Sequence, residues 1–496
     1  MRTRLLATIL LMACGFRSAV AAESPRNVLI ITADDMNADS SGGMGSTLGA
    51  TPNLDAFAAT AFRFAQCHVT VPICQPSRSA LMTGRVPHRN GALGFNPIRT
   101  DVPTLVEVLK GQGYYAAVIN KVVHMMPASK FPWDLALNGS GKKPDALRGD
   151  FEKCLQGAKE AGKPFFINAN ITDPHRPFPG SGAADAEDDE GEERPTATKK
   201  AATKKAATKK AQRLEETSAH LGRVYRPEDV VVPSFLEDIP LVRKEVAQYF
   251  TGVARFDVSF GEILEALKAA GHADDTLVVF LSDHGMSFPF SKASIYRNGT
   301  WSPVLFRRPG GVKPGEDRTN LVSSVDILPT VLDLLGVATP AGVDGRSLVP
   351  LIRGEPQPGR DHVVTHVNTV SSGKSFPQRC VRTPTRSLMF HAWADGQTAF
   401  RVEAMSGLSY RALADAAQKD PRIKARVDQY ITGTPLSFFN LENDPDERRN
   451  LIDDPQSRPE IERLQALLLA HMERTGDPQL EAYRKAVGSW SKSAGR

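Results

Sequence analysis

Short uninterrupted apolar runs alternate with segments whose apolar positions recur every three or four residues, from residue 26 to about 335. Asn27 to Thr32 (Asn-Val-Leu-Ile-Ile-Thr) has no polar face, as expected of a strand covered on both sides. Tyr115 to Ile119, Pro164 to Ile171 and Thr276 to Leu281 have the same character. Between them, Thr51-Pro52-Asn53 offers a cap and a first-turn proline for a helix with Leu54, Phe57, Ala58, Ala61 and Phe62 on one stripe. Pro76 and the residues after it predict a second helix starting just beyond Cys74. Thr104 to Lys110 predicts a third, closed by Gly111 and Gly113, and Val322 to Leu335 another, ending at Gly336. The alternation predicts an α/β fold around a large, mostly parallel sheet.

From about residue 355, at Pro356-Gln357-Pro358-Gly359, the spacing is less regular. Leu436 to Leu441 predicts a strand running into a turn at Asn443-Asp444-Pro445, and a Leu-rich helix follows from Pro459 to Arg474. Residues 23–354 are therefore read as one large domain and 355–496 as a smaller α+β subdomain packed on it. Residues 181–213 interrupt the pattern with an acidic run and near-copies of Thr-Lys-Lys-Ala-Ala, as in a disordered, solvated insertion.

The first 22 residues have the form of a secretory signal: Arg2 and Arg4, a short apolar core from Leu5 to Ala13, then Ala19-Val20-Ala21-Ala22. Leu11-Met12-Ala13-Cys14 is a weaker lipobox-like alternative that would tether the chain through Cys14. No later stretch is long and apolar enough for a membrane span. An exported protein, periplasmic, extracellular or lysosomal, is expected. The formal charge of +5 falls to +2 once Arg2, Arg4 and Arg17 leave with the signal. That balance gives no basis for a nucleic-acid partner. Cys67, Cys74, Cys154 and Cys380 are too few for a disulfide framework.

The expected strands end in side chains of one kind: Asp34-Asp35 after the first, Lys121 and His124 after the second, Asp173-Pro174-His175 after the third, Asp283-His284 after the fourth. Parallel α/β sheets build their sites at the carboxyl ends of strands, so these groups should meet in one crevice. Asp34, Asp35 and Asp283 would repel one another unless a cation lay between them, and hard oxygen ligands suit Ca²⁺ or, second, Mg²⁺. Arg78, Lys121, His124, His175 and Lys292 form a cationic set. A metal with several cations fits a small, highly charged anion. A helix starting beside Cys74 would add its positive end and lower the pKa of a thiol there. His88 and His366 are read as structural.

Cys74-Gln75-Pro76-Ser77-Arg78, followed by Thr83-Gly84-Arg85, resembles the C-x-P-S-R and T-G-R signature of the type I sulfatases of the alkaline-phosphatase-like superfamily. Asn27 to Asp35, Thr51 to Asp55, Gly113 to His124, Asp173 to His175 and Ser282 to Gly285 are similar to further family segments, and Leu441 to Asn450 resembles its L-x-x-D-P-x-E-x-x-N signature. The resemblance implies that a maturation enzyme oxidises Cys74 to formylglycine. It implies Asp34, Asp35, Asp283, His284 and modified Cys74 as calcium ligands. Arg78 and Lys121 would hold the aldehyde hydrate and the sulfate, His124 would help break down the sulfated intermediate, and His175 and Lys292 would bind sulfate and protonate the leaving group. Many family members carry Asn where this chain has His284.

Tyr225 to Leu236, Ser287 to Phe290, Tyr296 to Thr300 and Asp173 to Arg176 look most like the heparan N-sulfatases (N-sulfoglucosamine sulfohydrolases). Lys121-Val122-Val123-His124 and Asp283-His284-Gly285 look more like iduronate 2-sulfatases, and Lys292 stands where the N-sulfatases often have Arg. A sulfated saccharide is thus the implied substrate, with N- or O-linked sulfate left open. The alternatives are a phosphonate or phosphodiester hydrolase, a glycan-binding protein if Cys74 stays unmodified, and a nucleic-acid binder led by the Lys-Lys repeats. Lys374, Arg379 and Arg382 are candidate contacts for a polyanionic glycan, or parts of a solvated loop.

Overall fold

The computed structural model describes residues 26–181 and 222–494. The expected leader, the alternative anchor at Cys14 and all of the charged insertion except Ser181 lie outside the described residues.

Eight strands form the main sheet, in the order Leu135–Leu137, Tyr115–Ile119, Phe165–Pro174, Asn27–Asp34, Thr276–Ser282, Val304–Arg307, Phe62–Phe64 and Gly315–Asp317. Val304–Arg307 runs antiparallel to both neighbours, and the other pairings are parallel. Every residue of Asn27–Asp34 is buried, which explains a run with no polar alternation. Its side chains serve two cores: Leu29 and Ile31 on one face, Val28 and Ile30 on the other.

A helix of 30 residues, Pro240–Ala269, fills one face of the sheet and has no counterpart in the sequence reading. It is buried nearly all round and includes Glu245, Arg255 and Asp257, so its apolar stripe is too broad and too interrupted to show a clear period. Asp257 accepts from the backbone N–H groups of Asn53 and Leu54 at 2.9 Å and so caps the helix Pro52–Ala58. That helix is shorter than its stripe suggested. Phe62 belongs to a strand paired with Val304–Arg307 instead. The helix expected from Val322 is corrected in the same way. Val322–Ser323 pairs with Cys67–His68, Ser324–Asp326 is a 3₁₀ turn, and the helix proper is Ile327–Leu334. Asp326 forces the break by accepting from the Ser323 N–H at 2.9 Å in a capping box.

The second sheet is antiparallel: Val363–Thr369, Ser375–Arg382, Arg386–His391 and Leu436–Asn440. The helices Arg458–Thr475 and Leu480–Ala494 cover one face, around Leu464, Leu468, Met472 and Tyr483. Arg379 and Arg382 are not glycan contacts. Both are buried within this sheet, paired with Asp477 and Glu447 at 2.5 Å. Lys374 is exposed in the turn between the first two strands. No helix among the described residues is long and apolar enough to cross a membrane. Cys67, Cys74, Cys154 and Cys380 are all buried, and none of them forms a disulfide.

Candidate active site

The carboxyl ends of the central strands bring the expected side chains to one place. Asp34 ends its strand, and Asp35 turns the chain out of the sheet with φ 65°. Lys121 (φ 51°) follows Tyr115–Ile119, and Phe290 (φ 63°) and Ala293 (φ 62°) flank Lys292. Left-handed backbone at non-glycine residues costs energy, and its concentration here marks a site fixed by its surroundings. Gly285 has a different reason for its identity: a Cβ there would collide with the Asn298 carbonyl oxygen.

Cys74 is the first residue of the helix Cys74–Thr83, one residue earlier than the sequence suggested. No side chain caps this end, so its N–H groups are left to the site, and Cys74 itself has no exposed surface. The Cys74 Sγ lies 3.1 Å from His284 Nε2, 3.7 Å from Asp34 Oδ1 and 4.0 Å from Asp35 Oδ1. His284 Nδ1 is 2.9 Å from the Gly285 carbonyl, which can only accept. Nε2 is thus the ring nitrogen that faces Asp35 Oδ1, 3.3 Å away, together with the Cys74 Sγ.

One ligand atom from each of Asp34, Asp35, Cys74 and His284 lies within 4.8 Å of the others. Two carboxylates, one imidazole and the atoms on Cys74 fit a divalent metal. Asp283 stands at the edge of this group. Its Oδ1 accepts the Asp35 N–H at 3.1 Å and its Oδ2 pairs with Arg78 at 2.8 Å. Burial pushes the Asp35 carboxyl up to about 6, aided by Asp34 and Asp283 and opposed by Lys292 and His284. A metal ion would reverse that shift. Burial acts on Asp34 too, but Lys121, His175, Arg78 and Lys292 outweigh it and hold the carboxyl well below its usual range.

The cations surround the acids. Lys121 Nζ is 2.8 Å from Asp34 Oδ2. Arg78 is held by Thr32 (2.9 Å), Asn170 (2.5 Å) and Asp283. Lys292 sits 3.2 Å from Asp35 and is paired on its other side with Glu403. His175 Nε2 lies 3.9 Å from Asp35 Oδ2, and its Nδ1 donates to the Arg176 carbonyl at 2.6 Å. Burial, then Lys292 and Lys121, keeps His175 neutral. Burial, Lys121 and Arg78 do the same to His124, whose ring rests edge-on to Phe95. All ten residues picked from the sequence line this crevice or its wall.

Three others were missed. Asn170 lies inside a strand that read as apolar, yet it joins Thr32 and Arg78 to the carbonyls of Ile119 and Asn120. Lys142 reaches the His175 and Pro177 carbonyls from a loop with no local pattern, and burial lowers its pKa to about 8. Glu403 arrives from the second region, more than a hundred residues beyond Lys292. Only the Asn-x-Asn alternation of Asn168 and Asn170 in an apolar run could have signalled any of them.

Comparison with known proteins agrees with the geometry. Residues 26–337 match the Sulfatase family, and residues 283–394 match the family "N-sulphoglucosamine sulphohydrolase, C-terminal". The human N-sulphoglucosamine sulphohydrolase is 28% identical, over 92% of this chain and 91% of its own length. A Delta 4,5-hexuronate-2-O-sulfatase of Bacteroides thetaiotaomicron is 25% identical, over 88% of this chain and 94% of its own. A solved 2-O GAG sulfatase superposes with TM-score 0.66 at 22% identity, covering 92% of this chain and 93% of that one. The fold is alkaline-phosphatase-like: a large, mostly parallel sheet with helices, joined to a small antiparallel sheet. This chain belongs to the sulfatase family.

Proposed function

We propose that this chain is an exported sulfohydrolase of sulfated glycans whose preferred group is an N-sulfoglucosamine of heparan type. Its N-sulfate preference rests chiefly on the match of residues 283–394 to the C-terminal family of N-sulphoglucosamine sulphohydrolases. That segment starts at Asp283 and runs through Lys292 into the second sheet, so it covers site residues and the first three strands of that sheet. An O-sulfatase is the second reading, favoured by the likeness to the 2-O-sulfatase. Incubating the matured enzyme with N-sulfated and with O-sulfated heparin disaccharides, and following inorganic sulfate, tests the choice. Release from the N-sulfated sugar is expected. Release from O-sulfated sugars alone would transfer the assignment to the second reading.

In the proposed reaction, Cys74 oxidised to formylglycine supplies a hydrated aldehyde as the nucleophile. A divalent ion, Ca²⁺ in the first instance, would be held by Asp34, Asp35, His284 and residue 74, with Asp283 beside it, and would neutralise sulfuryl oxygens. Lys121 and the helix end at Cys74 face the same negative charge. Arg78 is braced by Asp283, Thr32 and Asn170, which fixes its guanidinium at the site. Neutral His175 presents a lone pair at Nε2, so it can accept a proton. The Lys292 ammonium is the group placed to give one to the leaving nitrogen or oxygen. His124, neutral and close to Lys121, is the candidate base for release of sulfate.

Three results are expected. Lys292→Ala should lower turnover of a glycan substrate by about 10²–10⁴-fold. With 4-nitrophenyl sulfate, whose phenolate needs little help to leave, the loss should be much smaller. Equal losses on both would remove Lys292 from the acid role. Chelation should abolish sulfate release and Ca²⁺ should restore it. Asp35→Asn should weaken metal affinity, seen as a higher Ca²⁺ concentration for half-maximal activity.

A further inference from the structure

Away from the crevice, His88, His366 and Asp477 bring three ligand atoms within 4.8 Å of one another. They come from three separate places: the short helix Pro87–Asn90, the strand Val363–Thr369, and the turn after Arg458–Thr475. Asp477 Oδ2 lies 3.9 Å from His88 Nδ1 and 3.8 Å from His366 Nδ1. Ligands of a four-coordinate zinc at about 2.0–2.1 Å from the ion stand roughly 3.3–3.5 Å apart, so a contraction of about half an ångström brings the Asp477 oxygen to zinc-shell distance from each ring.

The two imidazoles are otherwise idle. Neither ring nitrogen of His88 or His366 makes a hydrogen bond of ordinary geometry among the described residues, although His88 approaches the Thr475 backbone. Unpartnered buried imidazoles are costly, and an ion would satisfy both. Burial lowers the pKa of each ring, so both are neutral and able to ligate. Asp477 is held from behind. Arg379 donates to Oδ2 at 2.5 Å and to Oδ1 at 2.9 Å, and Oδ1 also takes the Gln479 N–H at 2.9 Å. Oδ2 keeps one lone pair toward the imidazoles, as ligating carboxylates do when hydrogen-bonded by outer partners.

His471 completes the surroundings, its ring 5.2 Å from that of His366. Arg474 donates to its Nδ1 at 3.1 Å, so neutral His471 carries its proton on Nε2, which is buried and could donate to a water on a bound ion. A cleft of about 450 Å³ lies beside the cluster, lined in part by its neighbours His471, Arg474 and Thr475.

We propose that His88, His366 and Asp477 bind a divalent transition metal, zinc by their chemistry, with a water in the fourth position. Two imidazoles and one carboxylate favour zinc over Ca²⁺ or Mg²⁺. The ion would staple the catalytic region, through His88, to the second sheet and the end of its covering helix.

Zinc titration in excess Ca²⁺ tests the site, with metal content per chain and thermal midpoint as readouts. The parent should retain zinc and melt higher with it. His284→Ala, altered in the catalytic crevice, should retain it equally. His88→Gln, which keeps a polar side chain of similar size, should fold and lose both the bound zinc and the rise in midpoint. In the parent, Co²⁺ should show the strong visible absorption of a four-coordinate site, and His366→Asn should remove it. A parent that holds no zinc would overturn the proposal. So would equal zinc in His88→Gln, or zinc lost on His284→Ala alone.

Discussion

Replacing Cys74 with alanine should cut sulfate release by roughly 10⁴–10⁶-fold, the scale seen when a covalent nucleophile is removed. The protein should still fold. Cys74 has no exposed surface, and the substitution removes one sulfur atom from a site rich in polar contacts. The stability cost is that of a small buried group, on the order of 1 kcal/mol. The variant keeps the two carboxylates, His284 and the cations, so it should still bind a sulfated disaccharide. Binding without turnover separates this outcome from global damage. Protein produced without a maturation enzyme should behave the same way, with a Cys74 peptide at the mass of the thiol. The active preparation should carry the lighter aldehyde. Turnover by Cys74→Ala within tenfold of the parent would show that sulfate transfer does not pass through residue 74.

The site was legible in the sequence for a physical reason. A parallel sheet buried on both faces writes its strands as apolar runs, and the first polar residues after each run lie at one edge of the sheet. Asp34, Lys121, His175 and Asp283 could be placed together on that ground alone. Their fine chemistry could not. The tautomer of His284 is set by the Gly285 carbonyl, and the support of Arg78 comes from Asn170, which pairs through a side chain inside an apolar strand. Glu403 meets Lys292 across two regions of the chain, and no local period encodes such a contact.

Arg379 and Arg382 illustrate the opposite error. Basic residues in a turn-rich segment suggested a surface for anions, but their partners Asp477 and Glu447 lie 98 and 65 residues further on. Charge that is neutralised over such distances is invisible in a linear reading. The long helix Pro240–Ala269 was hidden for a related reason. Its polar residues answer to partners elsewhere, Glu245 to the Leu408 and Ser409 N–H groups and Arg255 to Asp173, so they broke the apolar stripe without being exposed.

Glu447→Ala should be among the most destabilising single changes outside the active crevice. Glu447 is the glutamate of the Leu441 to Asn450 signature, has no exposed surface, and adopts φ 54°. Its Oε1 takes Arg382 at 2.5 Å and the Ser387 hydroxyl at 2.7 Å, and its Oε2 takes the Arg297 N–H at 2.6 Å. Arg382 also donates to the Ile295 carbonyl at 3.1 Å. One carboxylate thus ties the second sheet to the loop that follows Lys292. Its removal would leave a buried guanidinium without its counter-charge, a loss of about 3–5 kcal/mol. The urea midpoint should fall at unchanged slope. Arg382→Met removes the other half of the pair and should cost a similar amount. The double variant should cost less than the two singles together, because each single strands a charge that the double does not. Strict additivity would mean that the two side chains act independently and that the tie lies elsewhere. Sulfate release by Glu447→Ala, measured well below its melting point, should fall by less than in Lys292→Ala. The carboxylate reaches the Lys292 loop through the backbone of Ile295 and Arg297, whereas in the proposed reaction Lys292 meets the leaving group itself.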